Sequence, residues 1–295
     1  MVRERRGKAG APLFRRVAVV GVGLIGGSLA AACRKRGLVE TLVGFDVDPA
    51  ALQEAVTLGL VDEAGGDAAA VAAGADLTVL AVPVGALEEV AAAIAPALGP
   101  AAVVTDVGSV KGALVSRLEA RLPAGRYVPA HPIAGRESSG PAAAAASLFE
   151  GTRCVLTPTP RTDRQALAQI RRLWEEVGAV VETMDPGEHD VIFAAVSHLP
   201  HAVAYALTNA MLDLKAEGRD VLPYSAGGLR DFTRVAASDP TMWRDIFLAN
   251  RPALLDALRG FRAALARVEA ALTAGDGAAL WAECDRARRV RRELL

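Results

Sequence analysis

The chain has four histidines, and all of them lie between 131 and 201: His131, His189, His198 and His201. Imidazole is the side chain whose ordinary titration range suits proton transfer near neutral pH. His131 sits in YVPAHPIAGRESSG, just past a predicted strand over 127–130, at the carboxyl edge where open α/β sheets bind ligands. A strand-end histidine bonded to backbone is the plain alternative. His198 and His201, in VSHLPHA, are three apart and share a helix face. With no H-E-x-x-H pattern and no third ligand in view, a metal is the poorer reading of that pair. Arg230 and Arg234, in GGLRDFTRVAASDPTMWRDIF, stand one helical turn apart. Singly each is a plain surface charge; together, beside a cleft, they could bind a substrate with two carboxylates.

These groups need a frame, and the amino-terminal half supplies one. Gly21-Val22-Gly23-Leu24-Ile25-Gly26 is G-x-G-x-x-G, weak alone but here placed after a strand and at the start of a helix. Asp46 ends the next strand, 20 residues past Gly26, which completes a dinucleotide fingerprint. Gly21 permits the tight turn, Gly23 lets backbone N–H groups reach a pyrophosphate, and Gly26 lets the helix pack on the strand. A carboxylate at Asp46 accepts from both ribose hydroxyls and repels a 2′-phosphate, so NAD is expected rather than NADP. Asp48, before Pro49, reads as a helix cap. Ser109, in DVGSVK, also reads as an N-cap by default, though its hydroxyl could face the nicotinamide from the same sheet edge.

Strand-like runs at 15–23, 41–48, 76–83, 101–109, 152–158 and 178–185 alternate with Ala-rich helical stretches at 24–37 and 162–177, among others. That rhythm predicts parallel strands with right-handed crossovers and helices on both faces. Beyond Pro186 only helices are read, over 187–216, 226–237, 239–249, 252–274 and 276–294. The expected architecture is α/β plus all-α: a basic arm at 1–14, expected to be disordered, a Rossmann-type doubly wound sheet at 15–185, and a helical substrate-binding and dimerisation domain at 186–295. Leu254, Leu255, Leu258, Phe261 and Leu265 recur at helical spacing, which suits either an internal bundle or a homodimer.

Composition narrows the function classes. A net charge of −1 removes the field that nucleic-acid binders use, and 4% aromatics leaves few stacking platforms. The runs 17–33 and 90–105 are too short and too broken by Gly and Pro to span a bilayer. Three scattered cysteines offer no disulfide or zinc framework, and a cytoplasmic location is expected.

GVGLIGGSLA, DVGSVKG, HPIAGRESSG, VSHLPHAVAYAL and GGLRDFTRVAASDPTMWRDIFLAN, in that order, resemble the bacterial prephenate dehydrogenases, from about residue 15 onward. The resemblance implies NAD-dependent oxidative decarboxylation of prephenate to 4-hydroxyphenylpyruvate in tyrosine biosynthesis. It implies His131 as the base at the ring hydroxyl, with Ser109 bonded to the same hydroxyl. Arg234 matches the arginine for the ring carboxylate, His201 and Arg230 match positions for the pyruvyl side chain, and Glu137 matches a residue at the site entrance. Many members carry lysine where Arg230 stands, which changes donor geometry. His198 is then structural and His189 an ordinary helix residue.

Arogenate or dual specificity, or action on 4-amino-4-deoxyprephenate, are the enzymatic alternatives; His201 and Arg230 lean modestly toward the keto acid. A β-hydroxyacid dehydrogenase needs a catalytic lysine that VSHLPHAVAYALTNA lacks. A catalytically silent NAD-binding dimer is the non-enzymatic alternative.

Overall fold

The computed structural model describes residues 11–135 and 138–293. Most of the expected amino-terminal arm, and Glu137, lie outside the described residues. Of the expected arm, residues 11–14 are described, and Phe14 already opens the first strand. Leu13 and Phe14 both donate backbone N–H to Leu38 O, and Phe14 is buried, because its ring anchors the first strand in the core.

The strands are β1 (Phe14–Val20), β2 (Val39–Phe45), β3 (Glu63–Ala64), β4 (Leu77–Leu80), β5 (Val103–Asp106), β6 (Tyr127–Pro132), β7 (Arg153–Leu156) and β8 (Val180–Thr183). They form one sheet in the order β3-β2-β1-β4-β5-β6-β7-β8. β4 and β5 are buried throughout, as apolar β-branched runs in a two-faced sheet should be. The chain winds outward from β1 through β2 to β3 and then returns to β4 on the other side. The order therefore reverses between β1 and β4, where such sheets open a ligand crevice.

One expectation fails here. β6 and β7 pair antiparallel, with His131 opposite Val155. Residues 133–152 contain only a short 3-10 turn (Pro141–Ala143) among those described, not the crossover helix that a parallel pairing requires. The direct return pairs the His131 end of β6 with β7 alone, since the β5 register stops at Pro129.

Helices cover both faces. On one face, α1 (Leu24–Arg36) and α6 (Arg164–Glu176) bury Leu29, Ile170, Leu173 and Trp174 against the sheet. The other face is closed by α3 (Ala68–Ala72), α4 (Leu87–Ile94) and α5 (Gly112–Glu119), while α2 (Pro49–Thr57) lies with α1 and α6 and buries Ala55 in their cluster. Asp48 caps α2 through Ala50 N at 2.9 Å.

After β8 the described chain is helical: α7 (Pro186–Phe193), a π turn (Ala194–His198), α8 (Leu199–Ala216), α9 (Gly227–Thr233), α10 (Pro240–Ala249), α11 (Arg251–Ala274) and α12 (Gly277–Glu293). Trp243 and Ile246 of α10 join the apolar cluster of α4 and α5, which seats the helical part on that face of the sheet. The expected single helix 187–216 is interrupted by the π turn, a register change that often accompanies functional sites. By length and composition alone, Pro186–Ala216 is long and apolar enough to cross a membrane. Its polar side chains His189, Asp190 and His198 point instead into the protein and are buried there.

Candidate active site

The glycine loop joins β1 to α1. Gly21 has φ +93°, and a Cβ there would collide with the Ala81 carbonyl at the end of β4. Gly26 lies so close to Gly21 O that a side chain could not fit between them. At Gly23 an added Cβ would meet nothing within 4 Å, so open space lies over the N-terminus of α1. Gly23 is the N-cap and has no side-chain bond, which leaves the first-turn N–H groups of α1 for an anion. Leu24 and Ile25, in that turn, are half-buried and pack their side chains on the core. Asp46 Oδ2 accepts from Val22 N at 3.0 Å, and its Oδ1 accepts from Asp48 N at 3.0 Å. The carboxylate is thus fixed beside the loop, where a ribose would lie. The residues present fit a dinucleotide.

His131, on β6, is half-buried at the carboxyl end of the sheet. Its Nδ1 lies 2.8 Å from His189 Nε2 on α7. The Nδ1 of His189 lies in turn 2.9 Å from Asp190 Oδ1. That oxygen also accepts from Lys111 N, at the start of α5, at 2.8 Å. Phe193 packs its ring on both imidazoles, with centroids 4.7 Å from His131 and 4.4 Å from His189. Burial first, then the nearby His189, Lys111 and His198, hold the His131 pKa well below its ordinary value. His189 is held down by burial, against the pull of Asp190. Both rings are therefore neutral at pH 7.

His189 is thus no ordinary helix residue. The helix pattern gave its position but not which strand the helix packs on, and α7 docks against α5 and turns His189 onto His131. Lys111 and Asp106 were also missed. Lys111 Nζ meets Asp106 Oδ2 at 2.5 Å with both side chains fully buried, while Tyr127 O–H donates to Asp106 Oδ1 at 3.0 Å. A signal was present in DVGSVK, since a lysine and an aspartate flank the serine there.

Ser109 is not a helix cap. α5 begins three residues later, at Gly112, and its cap position is Lys111. Ser109 lies half-buried in the β5–α5 loop, and among the described residues no hydrogen bond joins it to His131. His198 is buried, with Nδ1 3.0 Å from Asn250 Nδ2. Asn250 Nδ2 also reaches the Asp190 carbonyl at 2.8 Å, which ties α7, the π turn and the α10–α11 junction together.

His201 stacks on Trp243, with ring centroids 3.6 Å apart and planes at 21°. Its Nδ1 donates to Ser197 O at 2.9 Å, so the neutral ring presents Nε2 as an acceptor. Its pKa is lowered by burial, and the Arg234 guanidinium adds to this. Arg234 therefore stands near His201, exposed on a 3-10 turn (Arg234–Ala237) after α9. Arg230 is exposed in the last turn of α9.

Two family models match the chain in succession. The prephenate dehydrogenase nucleotide-binding domain matches residues 29–183, and the prephenate dehydrogenase dimerization domain matches 185–284. A cyclohexadienyl dehydrogenase from Zymomonas mobilis is 41% identical over 266 residues, covering 90% of this chain and 91% of its own. Among solved structures, the prephenate dehydrogenase of Aquifex aeolicus in complex with hydroxyphenyl propionate and NAD+ is 40% identical. It superposes with a TM-score of 0.91, over 95% of this chain and 98% of that one. The arogenate dehydrogenase of Synechocystis is 31% identical with a TM-score of 0.79, over 95% and 100%. The two family models together span most of the chain, and the chain belongs to the prephenate dehydrogenase family.

Proposed function

We propose that this oxidoreductase uses NAD to oxidise and decarboxylate prephenate to 4-hydroxyphenylpyruvate. The observation that carries this reading is His131, a neutral imidazole at the sheet's carboxyl edge whose Nδ1 is engaged and whose Nε2 is left for a substrate.

NAD, held by the Gly21–Gly26 loop and Asp46, would supply the hydride acceptor. His131 Nε2 takes the proton of the ring hydroxyl as hydride leaves the same carbon. The resulting dienone draws the electron pair of the ring carboxylate as CO2 departs. The phenolate so formed recovers a proton from His131, so no net proton is released. Arg234 orients the ring carboxylate. Gripping it tightly would oppose CO2 loss, because only stabilisation of the transition state beyond that of the bound substrate speeds the reaction. Ser109, in the β5–α5 loop, bonds the same hydroxyl, Arg230 and His201 hold the side chain, and Glu137 stands at the entrance.

A second reading has its own observation. Because His201 Nδ1 is spent on Ser197 O, its Nε2 accepts rather than donates at neutral pH. An acceptor suits the ammonium of arogenate, which offsets the lean toward the keto acid drawn from residue types. Acceptance of both substrates follows from pairing His201 with the cationic Arg230. The test is kcat/KM for prephenate and arogenate, each with NAD and NADP, followed at the NADH absorbance. Turnover of neither ring substrate with NAD overturns the reading.

The protein works as a homodimer in the cytoplasm, through its helical domain. Val191, Val196, Leu212, Leu265 and Trp281 are exposed on α7–α8 and α11–α12, and an open apolar groove of about 650 Å³ runs between α11 and α12. These exposed apolar groups on neighbouring helices support an interface between two copies. Sedimentation of the native chain as a monomer at micromolar concentration would refute it.

A further inference from the structure

Resting on the dehydrogenase reading, we infer that His189 and Asp190 are positioning residues: with His131 they form a two-imidazole, one-carboxylate relay that fixes which nitrogen of His131 carries its hydrogen. The assignment follows from what each atom can do. A carboxylate only accepts, so His189 Nδ1, 2.9 Å from Asp190 Oδ1, must carry its hydrogen. A neutral His189 then has a lone pair at Nε2, and that nitrogen accepts. His131 Nδ1, 2.8 Å away, must be the donor. The lone pair of His131 is thereby placed on Nε2, the nitrogen a substrate hydroxyl needs. When that nitrogen gains a proton, the positive charge on His131 faces His189 and, behind it, the Asp190 carboxylate.

The relay is built in rather than incidental. Asp190 Oδ1 is held by Lys111 N at 2.8 Å, and a Cβ on Gly112 would collide with Asp190 Oδ2. Asn250 holds the Asp190 backbone carbonyl from the other side. Among the described residues, the charged and titratable groups facing the relay are Asp106 at the end of β5, Lys111 from the β5–α5 loop, Cys154 from β7, and His198 from the π turn. Lys111 and Asp106 neutralise one another at 2.5 Å, which leaves Asp190 as the carboxylate available to the imidazoles.

The test uses the full chain with 15N-labelled histidine and reads the His131 tautomer by long-range proton–nitrogen NMR. The native chain should show hydrogen on Nδ1. His189→Gln, whose amide can accept from His131 and donate to Asp190, should keep that form. His189→Leu cannot accept, so the population should move to the Nε2–H form, and kcat should fall about 10²-fold or more with KM for NAD unchanged. Asp190→Asn keeps an oxygen for Lys111 N and His189 but loses the charge. The acid limb of its kcat profile should therefore move to lower pH. Hydrogen on Nε2 of His131 in the native chain overturns the relay, as do equal kcat values for His189→Gln and His189→Leu or an unmoved acid limb in Asp190→Asn. Should His189→Leu fail to fold, shown by its melt and by lost NAD binding, the native tautomer and Asp190→Asn still decide. The tautomer is read without substrate, so a wrong substrate assignment leaves this arm intact.

Discussion

Lys111 Nζ lies 2.5 Å from Asp106 Oδ2, and neither side chain reaches solvent. The pair sits where β5 hands over to α5, and the backbone N–H of the same lysine holds Asp190. Removing one partner strands the other charge in the interior. Lys111→Met should cost about 3–5 kcal/mol of folding stability. Urea denaturation of the NAD-free chain measures this, and a change below about 1 kcal/mol would mean that water already reaches Asp106.

Acid should loosen the fold through the buried histidines. Burial holds His198 down to about 4, with nearby Asp190 pulling the other way. An unfolded histidine titrates near 6.5, so between pH 6.5 and about 4 the unfolded chain binds a proton that the folded chain refuses. Stability is full above 6.5 and falls as pH drops through that window, by on the order of 3 kcal/mol for this one group. His198→Gln should flatten the decline. A melting temperature as steep in the variant as in the native chain would contradict this.

Catalysis should stop with His131. His131→Asn keeps a polar group but no base in the useful range, and kcat should fall by roughly 10²–10⁴ while KM for substrate moves little. Turnover retained within a few-fold would put the base elsewhere.

Arg234 is exposed, and in the proposed role it would capture the ring carboxylate. Arg234→Gln should raise KM by roughly 10- to 100-fold, the worth of about 1.5–3 kcal/mol for a charge-assisted hydrogen bond. An unchanged KM would place the ring carboxylate against another cation.

Cofactor choice should rest on Asp46, whose carboxylate is pinned between Val22 N and Asp48 N. Asp46→Ala removes the charge that repels a 2′-phosphate, and the ratio of kcat/KM for NAD over NADP should drop by about tenfold or more. An unmoved ratio would show that the ribose lies away from this loop.

Much of this protein could be read from local pattern. A strand, a glycine turn, a helix and an acid at the next strand's end are contiguous in the chain, and each rule involved acts over a few residues. The motifs quoted around His131, Ser109, Arg230 and Arg234 are likewise contiguous, so the family was legible in them. Helix periodicity also foretold the helical second half, because apolar spacing survives whatever the helices pack against.

Three things waited for the tertiary structure. The antiparallel turn of β7 depends on what a connection lacks, and absence of a crossover helix carries no motif. The π turn before His201 is a register slip that apolar spacing does not encode. The His131–His189–Asp190 chain joins residues 58 and 1 positions apart, on a strand and a helix brought together only when α7 docks on α5. Spacing says which face of a helix is apolar; it does not say which strand edge that face will meet. That choice is made by packing across the whole molecule, and it sets His189 against His131 Nδ1.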